Sequence, residues 1–450
     1  MKGRNTASVP VSPRCAKSPD MSRDPSLDDI NRRNARRLLP LLMLGYVLNS
    51  LDKGNIGFAS LEMNRDLGFS PAVFGLGAGL FFITYTLFEI PSNMALRRYG
   101  ARLWLSRILV SWGVASMAMA LTWNAPSFYV LRMILGIAEA GWYPGVIYFL
   151  TLWFPKETRA RAIGWFVLGV PISNIVGAPL SGALLELPTI AGVRNWQWLF
   201  VLEGLPTVIL GFVAWRVLRD EPAKAEWLSA EERERLGTAL AVERPAGGSS
   251  AAPWGLLALF CAINFANALG LYSTSLWLPR AIKQLGDLSN FQTGLVTAIP
   301  FIFSAAVLII AARSSDRRGD RKGHVTALFL VGAFGMAMAA MPAAPVVRLA
   351  WLILAIMGGF GVQSTLYAMF SEGLSAGGRA GRSLAASLAT ITTVGNLGGF
   401  CGPYAVGLML QKNGDFTGPL LGIATAFLAA ALLALLVRNQ AARIAGVQHA

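Results

Sequence analysis

Runs of about 20 mostly apolar residues recur along the whole chain, and each is long enough to cross the hydrocarbon core of a bilayer as a helix. Inside lipid, a spanning helix satisfies its own backbone hydrogen bonds. Of the 450 residues, 54% are hydrophobic and 14% are charged, a balance that soluble globular domains do not reach. The sequence therefore predicts an all-α membrane protein.

Twelve such runs divide into two sets of six, which predicts two six-helix bundles. The predicted spans are residues 38–59, 71–95, 103–122, 127–149, 160–186, 197–218, 254–282, 291–312, 324–342, 347–370, 383–410 and 417–437. The predicted domains are a disordered cytoplasmic tail (1–37), an N-terminal bundle (38–218), a cytoplasmic linker (219–253), a C-terminal bundle (254–437) and a cytoplasmic tail (438–450). Translation begins at Met1 or at Met21. In the linker, Ser229-Ala-Glu-Glu232 has the capping-box pattern that opens a helix.

Basic residues concentrate in alternate loops, which predicts the orientation of the chain. The basic loops carry Arg97, Arg98, Arg102, Lys156, Arg159, Arg161, Arg313, Arg317, Arg318, Arg321, Lys322, Arg379 and Arg382, and the opposite loops little beyond Arg65, Arg194, Lys283 and Lys412. By the positive-inside rule the first set faces the cytoplasm of a bacterium, with the protein in the inner membrane and both termini cytoplasmic. The net charge of +15 is thus explained without nucleic acid, because no continuous basic face with interleaved aromatic residues is present.

The composition argues against enzymes, metal sites and cofactors. The three cysteines, Cys15, Cys261 and Cys401, are far apart, and the two histidines are His324 and His449. These residues suit neither a zinc site nor a Ser/His/Asp triad. No G-x-x-x-x-G-K-[ST] loop is present, so we expect energy for any pumping to come from a gradient.

Four ionisable residues lie deep inside predicted spans, where charge is costly and marks a functional site. Asp52 and Lys53 are in the first span, and Arg132 and Glu139 are in the fourth. Two acids and two bases make a site that is neutral when empty. We expect Lys53 and Arg132 to hold a carboxylate while Asp52 and Glu139 take up protons, because protonation offsets the charge of an entering anion. The alternative is two static ion pairs between helices.

Other polar groups complete the hypothesis. Tyr85, Tyr272, Gln363 and Asn396 lie at middle depths and are candidates to bind substrate, although each is equally suited to a helix–helix hydrogen bond. The loop 315–322 carries Asp316, Arg317 and Arg321, which we interpret as a gating latch or as a solvated charge run. Its Arg317-Arg-Gly-Asp-Arg321 matches Arg98-Tyr-Gly-Ala-Arg102 half a chain earlier, as a parallel duplication would give.

The chain resembles the major facilitator superfamily and, within it, the anion:cation symporters, which include phthalate, tartrate, hydroxyphenylacetate and sugar-acid permeases. The resemblance spans residues 31 to about 437 and rests on stretches 51–59, 88–93, 136–145, 177–182, 195–200, 203–206, 277–279 and 395–403. It implies alternating access by rocking bundles. It also implies that Asp52 and Glu139 are the protonatable pair, that Arg132 and residue 53 bind the anion, and that Tyr85 and Asn396 line the cavity. Lys53 departs from the arginine usual there and replaces a bidentate fork with a point charge.

The sequence thus predicts a proton-coupled symporter of a small organic anion, acting as a monomer among membrane lipids. One alternative is an exchanger of organic anions or organophosphates, or a drug antiporter. Another is a transporter-like sensor that binds the anion without moving it.

Overall fold

A computed structural model describes residues 26–242, 254–375 and 382–437, which form sixteen α-helices. The helices are α1 (Leu27–Leu67), α2 (Pro71–Tyr99), α3 (Ala101–Ala118), α4 (Ala125–Glu139), α5 (Trp142–Trp153), α6 (Lys156–Val167), α7 (Gly169–Leu184), α8 (Asn195–Val217), α9 (Ala230–Val242), α10 (Trp254–Lys283), α11 (Asn290–Arg318), α12 (Arg321–Ala339), α13 (Pro345–Gly361), α14 (Gln363–Ser375), α15 (Arg382–Asn413) and α16 (Thr417–Leu435).

The twelve predicted spans are confirmed as helices. Ten helical stretches are long and apolar enough to cross a membrane. Helices α1 and α15 complete the set. In α1, the polar residues Asn49, Asp52, Lys53 and Asn55 in the middle of the span lower its mean hydropathy. Spans 1–6 form one bundle and spans 7–12 the other, which is the predicted fold class.

Three spans are each built of two helices: α4 with α5, α6 with α7, and α13 with α14. In the fourth span the break falls at Ala140 and Gly141, directly after Glu139. Gly141 has φ of 89°, and a Cβ there would lie 2.4 Å from Ser92 Oγ. Only glycine therefore fits this turn, and the turn ends α4 at Glu139.

The N-terminal part of α1 differs from the prediction. Residues 27–37, predicted as disordered tail, are helical and extend α1 beyond the span. The linker explains this extension: Arg33 Nη2 pairs with Glu232 Oε1 of α9 at 2.6 Å, and Trp227 Nε1 donates to Asn34 Oδ1 at 2.9 Å. Polarity alone predicts a disordered tail, because it does not reveal a tertiary partner such as the linker. Residues 1–25, 243–253, 376–381 and 438–450 lie outside the described part, with both candidate starts, the second tail and Arg379.

The predicted linker helix is confirmed. The Ser229 amide donates to Glu232 Oε2 at 2.8 Å, and the Glu232 amide donates to Ser229 Oγ at 3.1 Å. This reciprocal pair is the capping box expected from the sequence. Because α8 ends and α10 begins beside the linker, we call this side of the molecule the linker end, and the other side the closed end.

At the closed end the two bundles touch along three helix pairs: α1 with α10, α2 with α15, and α7 with α11. Their backbones approach so closely that a Cβ at Gly182 would lie 2.5 Å from the Asn290 carbonyl oxygen. A Cβ at Gly57 would lie 2.6 Å from the carbonyl oxygen of Leu276. Asn290 Nδ2 also donates to Glu62 Oε1 at 3.0 Å. Between pairs of described residues, the hydrogen bonds that join the bundles lie at the closed end, such as the one from Ser70 Oγ to Gln411 Oε1 at 3.0 Å.

Candidate functional site

An ion pair between α1 and α4 lies at the centre of the N-terminal bundle. Lys53 Nζ lies 2.6 Å from Glu139 Oε1, and Asn49 Nδ2 donates to the same oxygen at 2.6 Å. Lys53 Nζ also donates to Asn49 Oδ1 at 2.9 Å. The Glu139 side chain is fully buried, whereas 23% of the Lys53 side chain remains exposed. The structure therefore brings together one predicted acid and one predicted base, with the base reaching open space.

The local sequence explains this placement. Asn49 and Lys53 are four residues apart on α1 and so share one helix face. Glycines let the neighbouring helices approach: a Cβ at Gly136 would lie 2.4 Å from the Phe81 carbonyl oxygen, which puts α4 directly against α2. The turn at Gly141 then ends α4 beside α1.

Asp52 lies on another face of α1 and does not join this pair. Trp112 Nε1 donates to its Oδ2 at 3.1 Å, Asn55 Nδ2 donates to its Oδ1 at 3.3 Å, and the Ser116 hydroxyl donates to its Oδ1 as well. Its side chain is buried at 5% exposure. Three donors satisfy the carboxylate between α1 and α3, so in this conformation Asp52 fastens two helices of one bundle.

Arg132 is also set apart from Lys53. Its guanidinium lies 4.9 Å over the Phe81 ring and donates from Nε to the Gly77 carbonyl at 3.4 Å and from Nη2 to the Ala78 carbonyl at 3.3 Å. The residue is 2% exposed, between α2 and α4. Asp52 and Arg132 form no direct ion pair, although each lies in the other's electrostatic range. The structure thus brings two of the four predicted charges into contact.

Tyrosines from both bundles surround the exposed side of Lys53. The Lys53 ammonium lies 5.1 Å from the Tyr85 ring centre, and Tyr272 of α10 packs on Phe82 at 4.3 Å. Tyr46 and Tyr143 lie 5.5 Å apart at their ring centres. Among the described residues, the hydroxyls of these four tyrosines have no hydrogen-bond partner. Phenol hydroxyls of this kind can donate to a ligand between the bundles.

The C-terminal bundle contributes amides. Gln363 Nε2 donates to Asn267 Oδ1 at 3.1 Å and to the Gly359 carbonyl at 3.3 Å, so it fastens α14 to α10. Asn396 on α15 is 7% exposed, and its Nδ2 is buried without a partner among the described residues. An unpaired buried amide of this kind is suited to bind a ligand or water.

The predicted latch at 315–322 joins two parts of one bundle. Arg321 Nη1 pairs with Asp316 Oδ1 at 2.5 Å, and its Nη2 pairs with Glu372 Oε1 of α14 at 2.9 Å. Arg317 is exposed. In the N-terminal bundle the corresponding Arg102 amide donates to Asp220 Oδ1 at 2.9 Å. Asp220, at the end of α8, thus supplies an acid that the loop 96–102 itself lacks.

Several site residues were missed from the sequence. Asn49 was detectable, since it is four residues before Lys53 and polar inside an apolar span. Tyr46 shares that face at seven residues from Lys53. Tyr143 and the Asp52 partner Trp112 had no signal beyond their residue types, because their approach depends on how α3 and α5 pack.

A cavity of about 660 Å³ lies elsewhere, at the linker end of the N-terminal bundle. Its lining includes Arg97, Tyr148, Arg159, Asp220 and Arg233, and none of the predicted site residues. Across the described ranges, no group of three or more His, Cys, Asp or Glu residues is arranged to hold a metal ion.

The sequence is similar to those of known proteins. The model of the Major Facilitator Superfamily matches residues 42–391. A putative tartrate transporter of Agrobacterium vitis is 41% identical over 413 residues, covering 90% of each chain. A quinolone resistance transporter of Acinetobacter baumannii is 40% identical over 87% of this chain and 91% of its own.

A solved structure has the same fold. The inward-open conformation of the xylose transporter XylE from E. coli superposes with a TM-score of 0.72 at 13% identity, covering 90% of this chain and 96% of that chain. Two six-helix bundles, a match to the family model over most of the chain and transporter relatives at about 40% identity agree with one another. The chain therefore belongs to the major facilitator superfamily and is a multi-pass membrane transporter, not an enzyme.

Proposed function

We propose that this transporter carries a small organic acid into the bacterial cell in symport with protons. The observation that carries the proposal is the 2.6 Å pair between Lys53 Nζ and Glu139 Oε1, in which the Glu139 side chain is buried and 23% of the Lys53 side chain remains exposed. An incoming carboxylate and the Glu139 carboxylate compete for one ammonium. Protonation of Glu139 removes its negative charge and leaves Lys53 to bind the substrate.

This competition couples the two ligands. If a proton on Glu139 strengthens substrate binding, substrate binding strengthens proton binding by the same factor. A carrier performs symport if it changes conformation only when proton and substrate are both bound or both absent. The putative tartrate transporter supports a hydroxylated carboxylate as the substrate class. The tyrosine hydroxyls around Lys53 suit such a ligand.

Alternating access supplies the movement. The bundles touch at the closed end through α1 with α10, α2 with α15, and α7 with α11, and the hydrogen bonds between described residues of the two bundles lie there as well. The basic loops lie at the linker end, which we assign to the cytoplasm. The structure then corresponds to an inward-facing carrier, and rocking about the central site would open the closed end.

Uptake by purified protein in proteoliposomes tests the proposal. With tartrate as the probe, an inside-alkaline pH gradient should drive accumulation above the external concentration, and a protonophore should abolish it. Protein-free liposomes are the control. Equal uptake with and without the gradient would refute proton coupling but leave transport intact.

A second candidate is export of an aromatic acid in exchange for protons, which the 40% identical quinolone resistance transporter favours. Accumulation of a quinolone in whole cells distinguishes the two. Export predicts that cells expressing the protein retain less of a quinolone than control cells, and that a protonophore removes the difference.

A further inference from the structure

Four acids lie five or more residues inside the predicted spans of the N-terminal bundle: Asp52, Glu89, Glu139 and Glu203. Three of them accept hydrogen bonds from the protein. Asp52 accepts from Trp112, Glu139 from Asn49, and Glu203 accepts from Ser181 Oγ at 2.7 Å. The side chain of Glu89 accepts none from any described residue; its Oε2 is buried without a partner, as is Oε2 of Glu139 and of Glu203, but Glu89 alone of the four also lacks a donor to its other oxygen.

Glu89 faces the space between the bundles. It lies one turn beyond Tyr85 on α2, so both share the helix face that meets Lys53. Its carboxyl lies within electrostatic range of Lys53 and of Tyr85, Tyr272 and Tyr367, which come from both bundles. The residue is partly exposed, whereas Oε2 is buried, so the other oxygen is the accessible one.

Lys53, the cation within electrostatic range of Glu89, makes no ion pair with it, because its ammonium is in direct contact with Glu139 and Asn49. A buried carboxyl oxygen without a partner costs free energy, and such groups generally mark places where a ligand or ion completes the hydrogen bonding. A second acid beside the anion site would repel a plain carboxylate. A substrate that also carries an O–H or N–H group turns that repulsion into a hydrogen bond.

We infer that Glu89 accepts a hydrogen bond from a hydroxyl or N–H group of the carried acid, while Lys53 binds its carboxylate. The inference rests on the proposed transport of an organic acid and names its class: carboxylates that also carry a hydroxyl or N–H donor group. A site that pairs with a donor strongly rejects the analogue that lacks it, because the acceptor is then left unpaired.

Tartrate and succinate provide the matched probes, since both are four-carbon dicarboxylates and only tartrate has hydroxyls. Inhibition of labelled tartrate uptake in proteoliposomes gives the relative affinities. The wild-type protein should prefer tartrate by at least about tenfold. Glu89→Leu, which cannot accept a hydrogen bond, should reduce the preference to about threefold or less. Glu89→Gln keeps a carbonyl acceptor and should retain most of it.

Glu226→Gln is the matched control, because this acid is 80% exposed in the linker and should leave the preference unchanged. A Glu89→Leu protein that still prefers tartrate tenfold overturns the inference and leaves the proposed function standing. Loss of gradient-driven accumulation in Glu89→Gln with unchanged preference also overturns it, since Glu89 would then carry a proton. If the wild-type protein takes up neither acid, both proposals fail.

Discussion

At the scale of single residues, substitutions of Lys53 and Glu139 should separate two functions of their contact: substrate binding by Lys53 and proton coupling by Glu139. Glu139→Gln keeps the shape and the hydrogen bond from Asn49 but cannot exchange a proton. We expect this protein to lose accumulation driven by a pH gradient while retaining exchange of labelled for unlabelled substrate. Equal loss of accumulation and exchange would contradict a coupling role for Glu139.

Substitutions of the two predicted anion-binding bases, Lys53 and Arg132, should have different effects. Lys53→Met removes the exposed ammonium, and we expect the dissociation constant for tartrate to rise at least about tenfold, a cost of about 1.4 kcal/mol. Arg132→Met removes a buried group that bonds the carbonyls of α2, so we expect a lower melting temperature of the empty protein. Substrate-induced thermal shifts of both variants measure the two effects.

The opposite result for Arg132→Met would indicate that Arg132 binds the anion. If Arg132→Met melts like the wild type but loses the substrate-induced shift, Arg132 reaches the ligand in another conformation. Lys53→Arg is the matched control for charge at residue 53, and a retained shift there is expected if charge alone is needed.

At the scale of helices, the packing of α7 on α11 should determine whether the two bundles can meet at the closed end. Gly182→Leu places a side chain against the Asn290 backbone, where even a Cβ would be 2.5 Å away. We expect this protein to hold the closed end open. Spin labels at Arg65→Cys and Asp287→Cys, with native cysteines replaced, would report a longer distance than in the wild type.

Gly164→Leu on α6 is the control for this change, because no atom lies within 4 Å of a Cβ at Gly164. Its label distance should match the wild type. An unchanged distance in Gly182→Leu would show that α7 and α11 can separate without opening the closed end.

The loop after α7 adds a pH dependence. Hydrogen bonds from the Ser289 side chain and from the Phe291 amide, at 2.9 Å, lower the pKa of Glu186 below its usual value. A lowered pKa means that this contact stabilises the closed end above the usual carboxyl pKa of about 4.3, and that the stabilisation is lost as pH falls further. The same label pair should therefore report opening only as the pH falls below the usual carboxyl pKa.

Glu186→Gln provides the test at neutral pH. It removes the charge without changing the size of the side chain, so we expect partial opening at pH 7 and little further change on acidification. A wild-type distance in this variant at pH 7 would show that the ionised carboxylate does not stabilise the closed end.

Helix positions were largely predictable, because each span needs an apolar run of fixed length. The second span was predicted at 71–95 and observed as Pro71–Tyr99. The breaks were not predictable: Pro144 and its glycines indicated a bend, but the turn at Gly141 depends on the fit against Ser92 of α2. Likewise, Asp52 and Arg132 were predictable as buried charges, but their partners Trp112, Ser116 and the α2 carbonyls come from packing.

At the scale of the whole molecule, orientation is the property most open to direct measurement. Arg65→Cys lies at the closed end and Lys224→Cys in the linker, and both side chains are largely exposed. In intact cells a membrane-impermeant maleimide should label the first variant. It should label the second only after the membrane is permeabilised. The reverse result would invert the assigned topology.

The close contact between the two bundles at the closed end should limit which substitutions the protein tolerates there. Its bundles meet backbone to backbone, and a Cβ at Gly75, Gly294 or Gly407 would also lie within 2.6 Å of a main-chain oxygen of the opposite bundle. A saturation mutagenesis screen for growth on the substrate should therefore find these glycines as intolerant as Lys53. Substitutions around Lys53 can then change which acid binds, whereas the closed end tolerates no side chain at these glycines.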